Sequence, residues 1–146
     1  MKKLILFIAV FSSLNLSSQT TDWVKACGGP NSDKGISIGT DSLGFIYISG
    51  FFNGDADFGP FHLTASYSTN KNIFLAKMDS LGNFLWAVAG TGGPYDDRAL
   101  GMHVTPGGDV FLTGTFWGYI EFPSASGPVS LGGNGCDTSV LIKIDS

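Results

Sequence analysis

After about residue 20 the chain is a succession of short runs in which apolar residues alternate with small or polar ones. The runs are broken by turns rich in Gly, Asp and Ser. Residues 35–40 (GISIGT) alternate, and residues 45–52 (FIYISGFF) form a second strand. Between them Asp41-Ser42-Leu43-Gly44 reads as a hairpin loop, with glycine where a positive φ is needed. Residues 73–78 (IFLAKM) predict a third strand, 79–83 (DSLGN) another such turn, and 84–89 (FLWAVA) a fourth strand. Residues 100–105, 109–116 and 139–144 repeat the first three. No window beyond the N-terminal leader has a helical period, so the pattern predicts an all-β chain.

The strand pattern sits on an internal repeat. Trp23 recurs as Trp86, Gly28-Gly29-Pro30 as Gly92-Gly93-Pro94, and Asp33 as Asp97. Gly44, Gly50, Phe52, Gly54 and Phe58 recur as Gly108, Gly114, Phe116, Gly118 and Phe122, a constant offset of 64. The register then slips through a variable loop, so that Leu63 matches Leu131 while Lys77 and Asp79 match Lys143 and Asp145. Four antiparallel strands in a unit of this length is what a propeller blade requires. The expected organisation is a signal peptide over 1–19, a first repeat over 22–84, and a second over 85–146 whose last strand is missing. Residues 23–27 read as a fourth strand without its own blade. Asp145-Ser146 matches the opening of the turn at Asp79-Ser80. Two blades cannot close a ring, so the expectation is an incomplete propeller: part of a larger one, or a protomer that assembles.

The leader carries Lys2-Lys3, an apolar run over 4–14, and the small or polar residues Ser17-Ser18-Gln19-Thr20. The apolar run is about half of the roughly 20 residues that span a bilayer, so a cleaved signal is expected rather than an anchor. This reading places the protein outside the cell, at its surface or in a periplasm, with no stable membrane insertion after cleavage. Loss of Lys2 and Lys3 leaves six basic against twelve acidic residues. With no basic patch, that balance argues against nucleic acid as a partner. The 21 glycines lack collagen spacing, and 43% hydrophobic residues with only 14% charged excludes a disordered chain.

The segments over 22–59 (DWVKACGGPNSDKGISIGTDSLGFIYISGFFNGDADFG) and 72–97 (NIFLAKMDSLGNFLWAVAGTGGPYDD) carry a resemblance. They resemble the β-propeller repeats, called SBBP repeats, of secreted proteins from Bacteroidetes-type bacteria, and share the turn-and-strand rhythm of NHL propellers. The resemblance covers residues 22–146 and implies two four-stranded antiparallel propeller-type blades. It implies no activity, since its motif specifies architecture alone.

Candidate chemistry is sparse. Cys27 and Cys136 are the only cysteines, 109 residues apart, in a chain whose export permits disulfides. Two unpaired thiols is the favoured reading; a Cys27–Cys136 disulfide is the alternative if the strand at 23–27 pairs antiparallel with that at 139–144. Asn53, Asp55 and Asp57 have the spacing of a calcium loop's opening, but Phe58 stands where its turn glycine belongs and no Glu completes the set, so a solvated loop is expected and no metal. Asp33 and Asp97 follow equivalent turns and are assigned to turn capping. His62 and His103 have no nucleophile partner, and Asp96-Asp97 is the only acidic dipeptide, so no catalytic residue and no cofactor is assigned. Trp23 and Trp86 recur and read as structural. Trp117 and Tyr119 replace Asn53 and Asp55 of the first repeat, which marks them as exposed; with Tyr95 they are the candidate binding residues, suited to a sugar ring or a protein partner. The expected function is a non-catalytic scaffold or binding module. The alternatives are a fragment of a carbohydrate-active propeller, or a self-associating subunit of a ring built from several chains.

Overall fold

The computed structural model describes residues 20–145; the leader lies outside the described residues. Eleven strands follow in chain order: β1 (Lys34–Thr40), β2 (Ile46–Asn53), β3 (Asp55–Phe58), β4 (Phe61–Thr64), β5 (Lys71–Met78), β6 (Phe84–Gly92), β7 (Arg98–Val104), β8 (Val110–Phe116), β9 (Tyr119–Phe122), β10 (Val129–Gly132) and β11 (Thr138–Ile144). All named pairings are antiparallel. No helix among the described residues is long and apolar enough to cross a membrane.

Strands β1-β2-β5-β6 form a four-stranded blade, and β7-β8-β11 form three strands of a second. The 84/85 repeat boundary falls at the start of β6, which the hydrogen-bonding keeps in the first blade. A sequence repeat marks equivalent positions, and its starting point need not coincide with a sheet's edge.

The turns form as their residues require. Gly44 (φ 82°), Gly82 (φ 80°) and Gly108 (φ 94°) all lie in the left-handed region. In the first, the Asp41 carboxylate accepts from the N–H groups of Leu43 (2.9 Å) and Phe45 (3.0 Å). Asp79 does the same for Leu81 (2.9 Å) and Asn83 (2.8 Å). In the second blade Thr105 replaces the aspartate and its hydroxyl accepts from Asp109 N–H at 3.0 Å.

The variable loops are β-hairpins. β3-β4 and β9-β10 are inserted between the second and third strands of their blades. Asn53, Asp55 and Asp57 therefore lie on strands rather than in a solvated loop, with Asp55 and Asp57 on the exposed side of β3. Their alternation with buried Ala56 and Phe58 is the period-2 signature of a strand. Residues 23–27 are not a strand here: they are exposed and outside any ladder. Only Gly28 pairs, with Asp57, through N–H···O bonds of 2.9 and 3.0 Å. The end of β6 meets β9 in a similar way, through Thr91↔Glu121 and Gly92↔Ile120.

The blades stack face to face. Tyr47 and Leu75 of the first are buried against Val110 of the second, with Met102, Val104 and Ile144 packed around them. Ile73 joins Ala99, Leu112, Phe116, Ile120, Phe122 and Val140 in a second cluster of the same interface. The far face of the first blade buries Phe52, Phe74 and Ala76 under Ala56 and Phe58 of the β3-β4 hairpin. Ser42 ties the blade ends together: its N–H and hydroxyl both donate to Pro106 carbonyl, at 3.1 and 2.7 Å.

Candidate functional site

At the rim where the two blades meet, the β6–β7 connection and the ends of β5, β8 and β11 converge on an open cleft of about 390 Å³. Tyr95 and Trp117 line it together, ring centroids 5.1 Å apart and planes tilted by 42°. Asn70, Asp96, Arg98, Thr115 and Asp137 supply the polar lining. Tyr95 is exposed and Trp117 is half-buried.

Asp96 organises the floor. Its carboxylate accepts from Lys71 Nζ (2.7 Å), Arg98 guanidinium (2.6 Å) and Lys71 N–H (3.1 Å). Desolvation pulls its pKa up, but the bonds from Lys71 and Arg98 outweigh it and hold the carboxyl at about 2. Asp96 is thus a fixed anion that immobilises two cations at the cleft wall.

Asp97 lies beneath and is 1% exposed. One oxygen accepts from Trp117 N–H at 3.3 Å, while Oδ2 is buried without a partner. Asp33 holds the equivalent place in the first blade, accepting from Asn53 N–H (3.1 Å) and Gly29 N–H (2.5 Å). The repeated aspartate caps the link between a preceding segment and the end of the blade's second strand. In the second blade Gly93 N–H goes instead to Tyr119 carbonyl at 3.2 Å, which leaves Asp97 one donor short. Burial, with neighbouring Asp96 adding to it, pushes Asp97 up to about 7 against the bond from Trp117.

Tyr119 is exposed at the start of β9, near Gly93, but does not line this cleft. The structure thus brings Tyr95 and Trp117 together and sets Tyr119 apart. Trp23 is 37% exposed, its ring over Gly82 and its indole N–H donating to Ser80 carbonyl at 3.1 Å. Trp117 is therefore not the more exposed of those two, because the ring of Tyr95 leans on it. Trp86 is half-buried and meets Tyr47 edge-on at 6.2 Å. Cys27 and Cys136 carry free, exposed thiols in this chain, Cys27 outside any strand and Cys136 in the β10–β11 connection. His62 lies on β4, its Nδ1 2.7 Å from Asp57 Oδ1 across the hairpin. That hydrogen bond raises its pKa. Ser130 and Glu121 make the matching contact at 2.7 Å in the β9-β10 hairpin. Among the described residues no group of His, Cys, Asp and Glu is placed to hold a metal ion.

The sequence does not mark Asn70, Arg98, Thr115 and Asp137 as cleft residues, or Lys71 as the partner of Asp96, because they come from four separate connections. The one available signal was variation between repeats. Tyr95, Asp96, Arg98, Thr115 and Trp117 stand where the first repeat has Asn31, Ser32, Lys34, Phe51 and Asn53.

Residues 22–55 match the family model described as SBBP, a β-propeller repeat. Residues 22–55 are thus an SBBP-type β-propeller repeat. No curated protein matches it significantly. The SBBP match begins just before Trp23 and ends on β3, so it takes in the connection capped by Asp33, the first hairpin of the blade and the entry to the inserted one.

Proposed function

We propose that this SBBP-type module is an exported, non-catalytic binding module that takes a sugar ring at the Tyr95–Trp117 cleft. The observation that carries the reading is the contrast between repeats. Positions shared by both copies, such as Asp33 and Asp97, serve the backbone, whereas Tyr95, Asp96, Arg98, Thr115 and Trp117 of the cleft stand where the first repeat has other residues. An aromatic surface edged by Arg98, Asn70, Thr115 and Asp137 suits a ligand with an apolar face and peripheral hydroxyls. Export rests on the Lys2-Lys3 and apolar leader, with cleavage placed between residues 17 and 20.

An enzymatic reading would assign the raised carboxyl of Asp97 as an acid. That group is enclosed under the cap and shielded from a substrate in the cleft, which favours the binding reading.

The test is a glycan array followed by calorimetry on the mature protein, whose first residue is expected between Ser18 and Asp22. Tyr95→Ala removes an exposed ring and should weaken glycan binding at least about tenfold, the loss of roughly 1.4 kcal/mol, with little change in Tm. Equal glycan binding by the variant, or no glycan bound by the wild type, would overturn the assignment.

A further inference from the structure

The link that enters each blade is built twice in this chain, and the two copies are bonded differently. In the first, Gly28 takes φ 125° and pairs with Asp57, and Gly29 N–H donates to Asp33. In the second, Gly92 has no positive φ and pairs with Ile120, one residue short of Glu121, the counterpart of Asp57. Gly93 N–H, the counterpart of Gly29 N–H, donates to the Tyr119 carbonyl at 3.2 Å. Glycine accepts both backbone geometries, so the Gly92-Gly93 pair allows either arrangement in the second link.

Asp97 stands at this fork. Its Oδ1 accepts from Trp117 N–H at 3.3 Å, and its own N–H donates to the Lys71 carbonyl at 2.8 Å. Its Oδ2 is buried without a partner and borders Gly92 together with the Tyr119 carbonyl oxygen. An acid O–H at Oδ2 has that carbonyl beside it as an acceptor, whereas a carboxylate there meets only another oxygen and needs a donor. Asp33 shows where the donor comes from in the charged form, since its second oxygen takes the glycine N–H. Tyr95 lies two residues past Gly93, and Trp117 N–H is held by Oδ1, so both rings of the cleft are tied to this one carboxyl. On its own segment Asp97 is flanked by Tyr95, Asp96 and Arg98. Strand β5 brings Lys71, β9 brings Tyr119 and Glu121, and Asp137 lines the cleft. Lys71 and Arg98 are both engaged by Asp96, and among the described residues no cation pairs with Asp97.

We infer that Asp97 is a pH-operated positioning residue of the aromatic cleft. In its acid form it leaves Gly93 N–H on Tyr119 and keeps the Tyr95 ring against Trp117. On losing its proton to water it draws Gly93 N–H to Oδ2, in the arrangement of the first link, and the segment carrying Tyr95 moves off Trp117. The change falls at about pH 7, where burial, with Asp96 adding to it, places the ionisation. Affinity for a sugar ring then follows the acid form, a consequence that rests on the reading proposed above; the switch itself does not.

The test needs no ligand. In NMR spectra of the mature protein, the Asp97 carboxyl carbon and the Gly93 amide should shift together with a midpoint at about 7. Cross-relaxation between the Tyr95 and Trp117 rings should be present well below that midpoint and lost well above it. Asp97→Asn carries no ionisation, and its side-chain N–H can donate to the Tyr119 carbonyl from the place of Oδ2. This variant should keep the ring contact and an unmoved Gly93 amide across the whole range, which separates Asp97 from the other charged groups around it. A wild-type ring contact that persists above the midpoint, a Gly93 amide that does not move with the carboxyl, or the same pH response in Asp97→Asn would overturn the inference. All of these are read without glycan, so they stand or fall apart from the sugar-ring reading.

Discussion

At the scale of single residues, the contrast between Asp33 and Asp97 is the most informative feature. Both cap the same link, but only Asp33 receives two backbone N–H groups. Asp97 keeps one oxygen buried and unpartnered, and its carboxyl is pushed to about 7. Its pKa is raised on folding, so between the unfolded value near 4 and about 7 the native state holds the proton that the unfolded chain has released. Stability should therefore fall as pH rises from about 4 to about 7. Asp97→Asn keeps the acceptor for Trp117 N–H and removes the ionisation. It should match wild type near pH 4 and exceed it above pH 7, by on the order of 2–4 kcal/mol if the shift is expressed in full. Urea unfolding at the two pH values measures this directly. Equal pH slopes for the two proteins would mean that Asp97 is ionised in the native state.

At the scale of elements, the blades rest on short turns whose chemistry is local. Asp41 and Asp79 bond backbone amides two and four residues on, and the glycine that follows in each turn takes a positive φ. A Cβ at Gly44 would meet nothing within 4 Å, so the cost of replacing it is conformational alone. Gly44→Val should destabilise by about 1–2 kcal/mol, read as a lower urea midpoint with unchanged m. Gly50→Val at the β2 ladder should be far worse, because its Cβ would lie 1.9 Å from Lys34 carbonyl oxygen. If the two substitutions cost the same, φ is not what selects glycine at position 44. The inserted hairpins belong to this scale too. In the sequence they look like variable loops, because β3 and β4 are only four residues each and the register slips between the copies.

At the scale of the whole molecule, the two free and exposed thiols report on whether copies meet. Cys136 stands where the first repeat has Asn70, just ahead of its third strand, and Cys27 precedes the glycine equivalent to Gly92. In the first blade those neighbourhoods adjoin, since Ile73 pairs with Gly90. A contact between copies that pairs residues 23–27 of one with β11 of another would place Cys27 near Cys136, and oxidation would then give disulfide-linked oligomers on a non-reducing gel. Cys27→Ser and Cys136→Ser should each abolish them, and mixing the two variants should restore a single dimer. Partial desolvation by its neighbours and the nearby Asp33 carboxylate raise the pKa of the exposed Cys27, so the bond should form faster at alkaline pH. A dimer from either serine variant alone would point to a like-with-like contact and against this arrangement.

The seven longer strands, the Asp-x-x-Gly turns and the twofold repetition are legible in the sequence, because alternation, turn residues and recurring Trp and Gly are local or periodic signals. The capping role of Asp33 and Asp97 followed from recurrence alone. The cleft did not: Tyr95 and Trp117 were named as aromatic candidates, but their contact and the Lys71–Asp96–Arg98 network depend on four connections meeting at one rim. Tyr119 illustrates the limit, since two residues on from Trp117, past the turn at Gly118, it leaves the cleft altogether. Residues 23–27 mark the same boundary from the other side. Their composition is that of a β6 strand, but a strand exists only where a neighbour supplies its hydrogen bonds, and in the single chain only Gly28 finds one. Sequence alone determined which segments are able to pair; the tertiary structure decided which do, because pairing and burial are properties of two surfaces and never of one.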